Sequence, residues 1–294
     1  MVRAAVLDIG SNTARLLVAE RRKGRIVPVE EASTYLGLGA EILRHGSIGP
    51  AKLSETGQVA RAFSELAVRS GAGEIDVFVT APGRQAENAE ELLATVARAT
   101  GSFARILSAQ EEGALAYEGA LAREDVAGRR VAVCDVGGGS TEIVIGDAGL
   151  APFWCTSIEL GSLRLTAACL LTDPPSHEAI ETAERFAAAL FAEVDPPAAE
   201  LALAVGGSAR GLAKLVGPNL GEGELTAALA LSTAKRSTKV ARNFALDAQR
   251  ARVLPGGAIV LREAARRLGQ PLRLGRGGLR EAAVGRMLAE ARAA

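Results

Sequence analysis

Val6-Leu7-Asp8-Ile9-Gly10-Ser11-Asn12-Thr13 has a counterpart much later in the chain, Val133-Cys134-Asp135-Val136-Gly137-Gly138-Gly139-Ser140-Thr141. In each stretch an apolar run delivers an aspartate to a turn of small and polar residues, and a second apolar run leaves it. One Asp-x-Gly after a strand is common, but two in matching settings signal a duplicated unit. The flanking pattern extends the match. The runs Val2–Leu7, Leu16–Ala19 and Ile26–Val29, with turns at 8–12 and 21–24, read as a three-stranded meander. After a Gly-rich link at Leu36–Gly39, Ser54 is placed to cap a helix reaching about Ser70. A strand Ile75–Thr80, a helix Asn88–Thr100, a strand Phe103–Leu107 and a helix Gln110–Leu121 then alternate, as in a sheet with helices on its faces. The order restarts with strands at Arg130–Cys134, Glu142–Ile145 and Pro152–Thr156. Helices around Ser162–Leu171 and His177–Val194 follow, then a strand Leu201–Val205 and a helix Ala209–Leu215. A broken helical region 225–268, a short strand Leu272–Leu274 and a last helix Leu279–Ala291 complete the second round. The expected fold is α/β: domains 1–124 and 125–294, each a mixed sheet flanked by helices, facing one another across a cleft. The last helix, about 279–294, is free to pack back on the first domain.

Composition bounds the function. The 294 residues, 48% apolar, are ample for two buried cores. Thirty-four basic and 34 acidic residues give zero net charge, so there is no general cationic field for nucleic acid or an anionic membrane, and any polyanion must be gripped locally. Aromatics at 3% argue against base-stacking platforms. Three cysteines without a CxxC pair suggest neither a disulfide framework nor a zinc site, and make the reducing cytoplasm the expected compartment. No apolar stretch approaches the roughly 18 residues of a membrane span.

The candidate chemistry sits where strands end. Gly137-Gly138-Gly139-Ser140-Thr141 offers backbone N–H groups unobstructed by side chains and two hydroxyls, which a phosphate requires of a loop; a plain Gly-rich hairpin turn is the other reading. Asp8 and Asp135 stand where carboxylates can hold a hard cation, or can cap their own turns. Glu142 lies on the strand leaving the second turn. Arg84 follows a strand end and the turn Thr80-Ala81-Pro82-Gly83, where a guanidinium either forks onto phosphate oxygens or stays solvated. Ser108-Ala109-Gln110-Glu111 is a capping box that employs Glu111 at a helix start and leaves Glu112 open to catalysis, or to complementing the helix dipole. Gly206-Gly207-Ser208 opens a helix after a strand and suits an anion or nucleotide. His45 and His177 have no neighbours suggesting a metal site or a triad.

With these residues in view, the chain resembles the exopolyphosphatase and guanosine pentaphosphate phosphatase family, a branch of the actin, Hsp70 and sugar-kinase superfamily. The landmarks run nearly end to end: Asp8 to Thr13, Thr80 to Asn88, Glu111-Glu112-Gly113, Asp135 to Glu142, Leu160 to Leu165 with Asp173-Pro174-Pro175, and Gly278-Leu279-Arg280-Glu281. The resemblance implies two ribonuclease H-like domains and metal-dependent hydrolysis of the terminal phosphoanhydride of inorganic polyphosphate. Glu112 would activate water. Gly10, Ser11, Asn12, Arg84, Gly137, Gly138, Gly139, Ser140 and Thr141 would hold phosphate, and Asp135, Glu142 and Asp8 would serve Mg²⁺ or Mn²⁺. Guanosine pentaphosphate is the alternative substrate, with a stringent-response setting, and a non-catalytic sensor of phosphorylated nucleotides is the competitor from another class. A cytoplasmic homodimer without nucleic-acid or membrane partners is the expected form. Two departures stand out: Pro82-Gly83 before the arginine, and Ser208 with Arg210 where the family has a Gly-Thr-rich turn. Longer relatives add a C-terminal HD-type domain, which this sequence, with two histidines and its end at Ala294, is expected to lack.

Overall fold

The computed structural model describes residues 2–293 and divides into two compact units. The first takes in the chain up to Leu115 and returns from Leu279 onward; the second is the continuous stretch Ala116–Gly278.

The first unit opens with the meander β1 (Arg3–Ile9), β2 (Thr13–Arg22) and β3 (Arg25–Tyr35). Helices α1 (Leu38–His45) and α2 (Pro50–Arg69) lead to β4 (Glu74–Val79), α3 (Ala81–Gln85), α4 (Ala89–Thr100), β5 (Ala104–Ile106) and α5 (Ala109–Leu121). The sheet order is β3-β2-β1-β4-β5, with β1 antiparallel to β2 and parallel to β4. Within β1 the stretch Ala4–Leu7 is continuously apolar because both faces of the strand are covered. Ala5, Leu7 and Ile9 join the core with Phe63, Leu92 and Val96, whereas Ala4 and Val6 pack with Phe78, Leu115, Val284 and Leu288.

The second unit repeats the plan with β6 (Arg130–Val136), β7 (Thr141–Asp147), β8 (Trp154–Ile158), α6 (Ser162–Cys169), α7 (His177–Leu190), β9 (Leu201–Val205) and α8 (Gly206–Val216). Then come β10 (Asn219–Leu220), α9 (Glu222–Thr233), α10 (Ser237–Asn243), α11 (Ala248–Leu268) and β11 (Leu272–Leu274). Its sheet, β8-β7-β6-β9-β11-β10, has the first unit's order plus one short edge strand, and β6 is again antiparallel to its successor and parallel to β9. The duplication inferred from two turns is therefore a duplication of whole sheets. α11 is buried along most of its length. The final helix, α12 (Leu279–Ala293), belongs to the first unit, where Ala282, Ala283, Val284 and Leu288 cover β1 and β2.

Local readings differ in three places. α1 begins within the expected link at 36–39, because Leu38 and Ile42 are buried and Gly37 enters the helix at φ 69°. α2 starts at Pro50 rather than Ser54: proline's fixed φ suits the first turn, and Ser54 lies inside the helix. The turn read at 80–83 is instead the short helix α3, again with proline in its first turn. No described helix is long and apolar enough to cross a membrane.

Candidate active site

In the first unit, the turn between β1 and β2 is held by its own backbone. Gly10 N–H donates to Thr13 O at 3.0 Å, Gly39 N–H donates to Ser11 O at 2.9 Å, and Leu36 N–H donates to Asn12 O at 2.8 Å. Ser11 and Asn12 are buried, at 4% and 7% exposure, yet Ser11 Oγ and Asn12 Oδ1 have no hydrogen-bond partner. Polar atoms left so in a native fold call for an explanation: the Ser11 hydroxyl can donate to an anion or water, whereas Asn12 Oδ1, an acceptor, needs a donor such as water. Asp8 lies directly across the strand pair from Arg15, whose Nε donates to Thr13 Oγ1 at 3.2 Å.

Arg84 stands in α3, just past the end of β4. The helix can pack there because residue 83 is glycine: a Cβ would come within 2.8 Å of Ile106 on β5. That accounts for the Pro82-Gly83 departure as local packing. Arg84 Nη1 donates to Leu107 O at 2.9 Å and to Glu112 Oε2 at 2.7 Å, and the side chains are only 17% and 13% exposed. Two residues distant in sequence thus meet as a largely buried ion pair. Glu111 is employed as its capping box requires. Ser108 N–H and Ser108 Oγ both donate to Glu111 Oε2, at 2.9 and 2.8 Å, and Glu111 N–H donates back to Ser108 Oγ at 3.2 Å. The Ser108 amide, then its hydroxyl, and then the charge of Arg105 hold the Glu111 carboxyl below the ordinary glutamate range. A recess of about 870 Å³ beside Asp76, Arg105 and Arg286 is lined by Glu111 and includes neither Glu112 nor Arg84.

In the second unit, the turn between β6 and β7 is anchored by its carbonyls. Gly137 N–H donates to Ser140 O at 3.0 Å, Ser162 N–H donates to Gly137 O at 2.9 Å, and the amides of Leu163 and Arg164 donate to Gly138 O at 3.0 Å. A trans peptide sets N–H opposite to C=O, so the amides of Gly138 and Gly139 point away from α6. The close seat requires glycine at 161, where a Cβ would lie 2.5 Å from Gly138 C. Ser140 is 2% exposed, and the buried Thr141 donates its hydroxyl to Leu160 O.

Asp135 and Glu142 are direct cross-strand partners, and Glu142 is in turn opposite Ser157, so all three share one face of the sheet. Glu142 is 1% exposed and accepts a hydrogen bond from Ser157 Oγ at 3.0 Å. Asp135 Oδ1 reaches the start of α8, where Gly206 has φ 83° and a Cβ would come within 2.2 Å of that oxygen. Two like charges directly opposite are destabilising. A divalent cation shared between them reverses that sign, and an all-oxygen set suits Mg²⁺ or Mn²⁺. Among the described residues no three His, Cys, Asp or Glu side chains form a ready cage. The pair therefore fits a hard cation that completes its shell with water and phosphate oxygens, the habit of Mg²⁺.

Other residues fall outside these groupings. Arg164 pairs with Glu159 at 2.8 Å, and His177 is a solvated neighbour of Glu181. Arg15 and Ser157 were not singled out from sequence. The signal for Arg15 was available, since it stands as far beyond Asp8 as Glu142 stands beyond Asp135.

The model of the Ppx/GppA phosphatase family matches residues 17–291. Exopolyphosphatase 1 of Mycobacterium bovis is 30% identical over 222 residues, 74% of this chain and 64% of that protein. Exopolyphosphatase 2 of Mycobacterium tuberculosis is 30% identical over 194 residues, 63% of this chain and 60% of that one. The matches thus span 60–64% of those relatives' length. Among solved structures, the Aquifex aeolicus member of the Ppx/GppA family is 25% identical with TM-score 0.81, over 99% of this chain and 98% of that one. An exopolyphosphatase from Cytophaga hutchinsonii, 16% identical over 98% of both chains, shares the fold with TM-score 0.86.

Proposed function

The chain belongs to the Ppx/GppA phosphatase family, and on that footing we propose that it is an exopolyphosphatase, releasing orthophosphate from the end of inorganic polyphosphate in the cytoplasm. The observation that carries this reading is the carboxylate of Glu112, held at 2.7 Å by Arg84 beside a capping box that has taken Glu111 for structure. A pure binder of phosphates has no need of a positioned carboxylate that phosphate would repel.

In the proposed reaction a water oxygen attacks the terminal phosphorus, the bridging P–O bond breaks, and the shortened chain leaves on its oxygen. Glu112 orients the water and accepts its proton. Arg84, directed to that carboxylate, would also meet the terminal phosphate, whose oxygens its planar fork matches. Ser11 and Asn12 supply polar side-chain atoms from the first turn, and Gly10, Gly137, Gly138, Gly139, Ser140 and Thr141 complete the two turns that take phosphate. Asp135 and Glu142 would hold Mg²⁺ or Mn²⁺, Asp8 would be the matching metal carboxylate of the first unit, and the ion would supply positive charge to offset that of phosphoryl oxygens. Positioning and charge neutralisation are most of what phosphoryl transfer asks of a protein.

The test is phosphate release from short polyphosphate, long polyphosphate, guanosine pentaphosphate and ATP side by side, with and without Mg²⁺. Metal-dependent release from polyphosphate at the highest kcat/KM supports the reading. Preference for guanosine pentaphosphate reassigns the substrate, and binding without turnover makes the protein a sensor.

A further inference from the structure

We propose that Ser157 is a positioning residue for the divalent cation: its hydroxyl fixes the carboxylate of Glu142 and thereby sets the affinity of the site for metal. The inference rests on the reading of Asp135 and Glu142 as the cation pair.

The terminal torsion of glutamate is broad and nearly two-fold, so a carboxylate on a strand turns unless a donor holds one oxygen. Here the donor stands on β8, on the opposite side of β7 from Asp135. The bond from Ser157 Oγ to Glu142 Oε1, 3.0 Å long, draws that oxygen toward β8 and stops the carboxylate from rotating freely against its like-charged neighbour. A ligand held in one orientation loses less entropy on binding metal, and outer hydrogen bonds of this kind tune ligating carboxylates. The duplicated unit supplies the contrast. The row Asp135, Glu142, Ser157 in the second sheet corresponds to Asp8, Arg15, Ser33 in the first, where the serine faces a guanidinium instead of a carboxylate. The serine recurs with the fold, but its direct cross-strand partner is a carboxylate at Ser157 and an arginine at Ser33.

The experiment titrates Mn²⁺ into the full chain without substrate, read by electron paramagnetic resonance, with thermal unfolding of each metal-free protein alongside. Ser157→Ala is expected to weaken Mn²⁺ binding by about 10- to 100-fold, with the metal-free protein still unfolding cooperatively at a melting temperature lowered by the loss of one bond to a buried carboxylate, and kcat at saturating metal within a few-fold of the parent. Ser157→Thr, which restores the hydroxyl, is expected to bind metal within about three-fold of the parent, and Ser33→Ala to bind as the parent does. If the alanine variant fails to fold, Ser157→Cys, nearly isosteric and a weak donor, carries the same expectation of weakened binding. Parent-like Mn²⁺ affinity in Ser157→Ala, with Glu142→Gln impaired, overturns the proposal and leaves the cation pair standing. Parent-like affinity in Asp135→Asn and Glu142→Gln overturns the pair itself, and this inference with it.

Discussion

Replacing Glu112 with glutamine exchanges one carboxylate oxygen for an amide nitrogen at nearly constant volume. The amide retains a carbonyl oxygen for Arg84 Nη1, whose second acceptor, Leu107 O at 2.9 Å, is untouched, so the side chain keeps its place. What this bond loses is its charge-assisted part. Bonds to charged groups contribute about 1.5–3 kcal/mol and neutral ones about 0.5–1.5, so this bond alone weakens by on the order of 1 kcal/mol, and the Arg84 charge left without its counter-charge adds to that. The reaction loses far more. A missing general base costs about 10²–10⁴ in rate, or roughly 2.7–5.4 kcal/mol in the barrier at 1.36 kcal/mol per decade. Glu112→Gln should therefore show kcat lower by two to four decades, KM within a few-fold, and a melting point within a few degrees of the parent. Glu111→Gln is the matched control, because a glutamine still completes the capping box and should leave kcat within about two-fold. Phosphate release under saturating metal, calorimetric binding of polyphosphate and thermal unfolding read the three quantities. An active Glu112→Gln, or a dead Glu111→Gln with intact folding, refutes the assignment.

Asp135→Asn and Glu142→Gln should each raise the metal concentration needed for half-maximal activity, and excess EDTA should abolish turnover; full activity in EDTA would remove the metal from the mechanism. Arg84→Ala should lower kcat and raise KM, since it withdraws both the partner of Glu112 and a phosphate contact. Arg84→Lys should recover only part, because a lysine lacks the planar fork; unchanged kinetics in both variants would relegate Arg84 to structure. Gly119→Ala should destabilise by about 3 kcal/mol, the upper end of overpacking costs, or block folding, as its Cβ would come within 1.9 Å of Gly278 O, and a parent-like urea midpoint would disprove that packing. Glu111, whose carboxyl titrates below its ordinary range, adds stability that is present above that range and is lost as pH falls through it. The stability gap between the parent and Glu111→Gln should accordingly shrink from pH 7 to pH 3, by a small amount since the group is largely solvated; a gap that widens on acidification contradicts this.

The sheets were legible because their signals are local. Each aspartate-bearing turn joins two apolar runs, and the runs Ala4–Leu7 in β1, Val131–Cys134 in β6 and Leu201–Val205 in β9, covered on both faces, stand out as apolar segments. The Ser108–Glu111 capping box was equally legible, since both partners lie within one helical turn. What sequence could not supply was register and short-helix geometry. Ser157 reaches Glu142 only because β8 lies beside β7 in one alignment, and a slip of one residue would send it to the other face. Arg84 read as following an ordinary turn because proline and glycine are turn formers. In the fold the proline starts α3 and the glycine lets it approach Ile106, which brings the guanidinium to Glu112.

The return of α12 to the first unit bears on how the protein is made. During synthesis the strands of that unit emerge first, yet Ala4, Val6, Leu17 and Ala19 are covered by residues that follow the entire second unit. At ribosomal rates of about 5–20 residues per second, the intervening stretch 116–278 takes roughly 10–30 s to emerge. Throughout that interval one side of the nascent sheet lacks the cover that α12 gives it, while the second unit, continuous in the chain, is free to fold as it appears. The protein therefore matures from its middle outward, and its exposure to chaperones and to aggregation during translation is concentrated in its oldest segment.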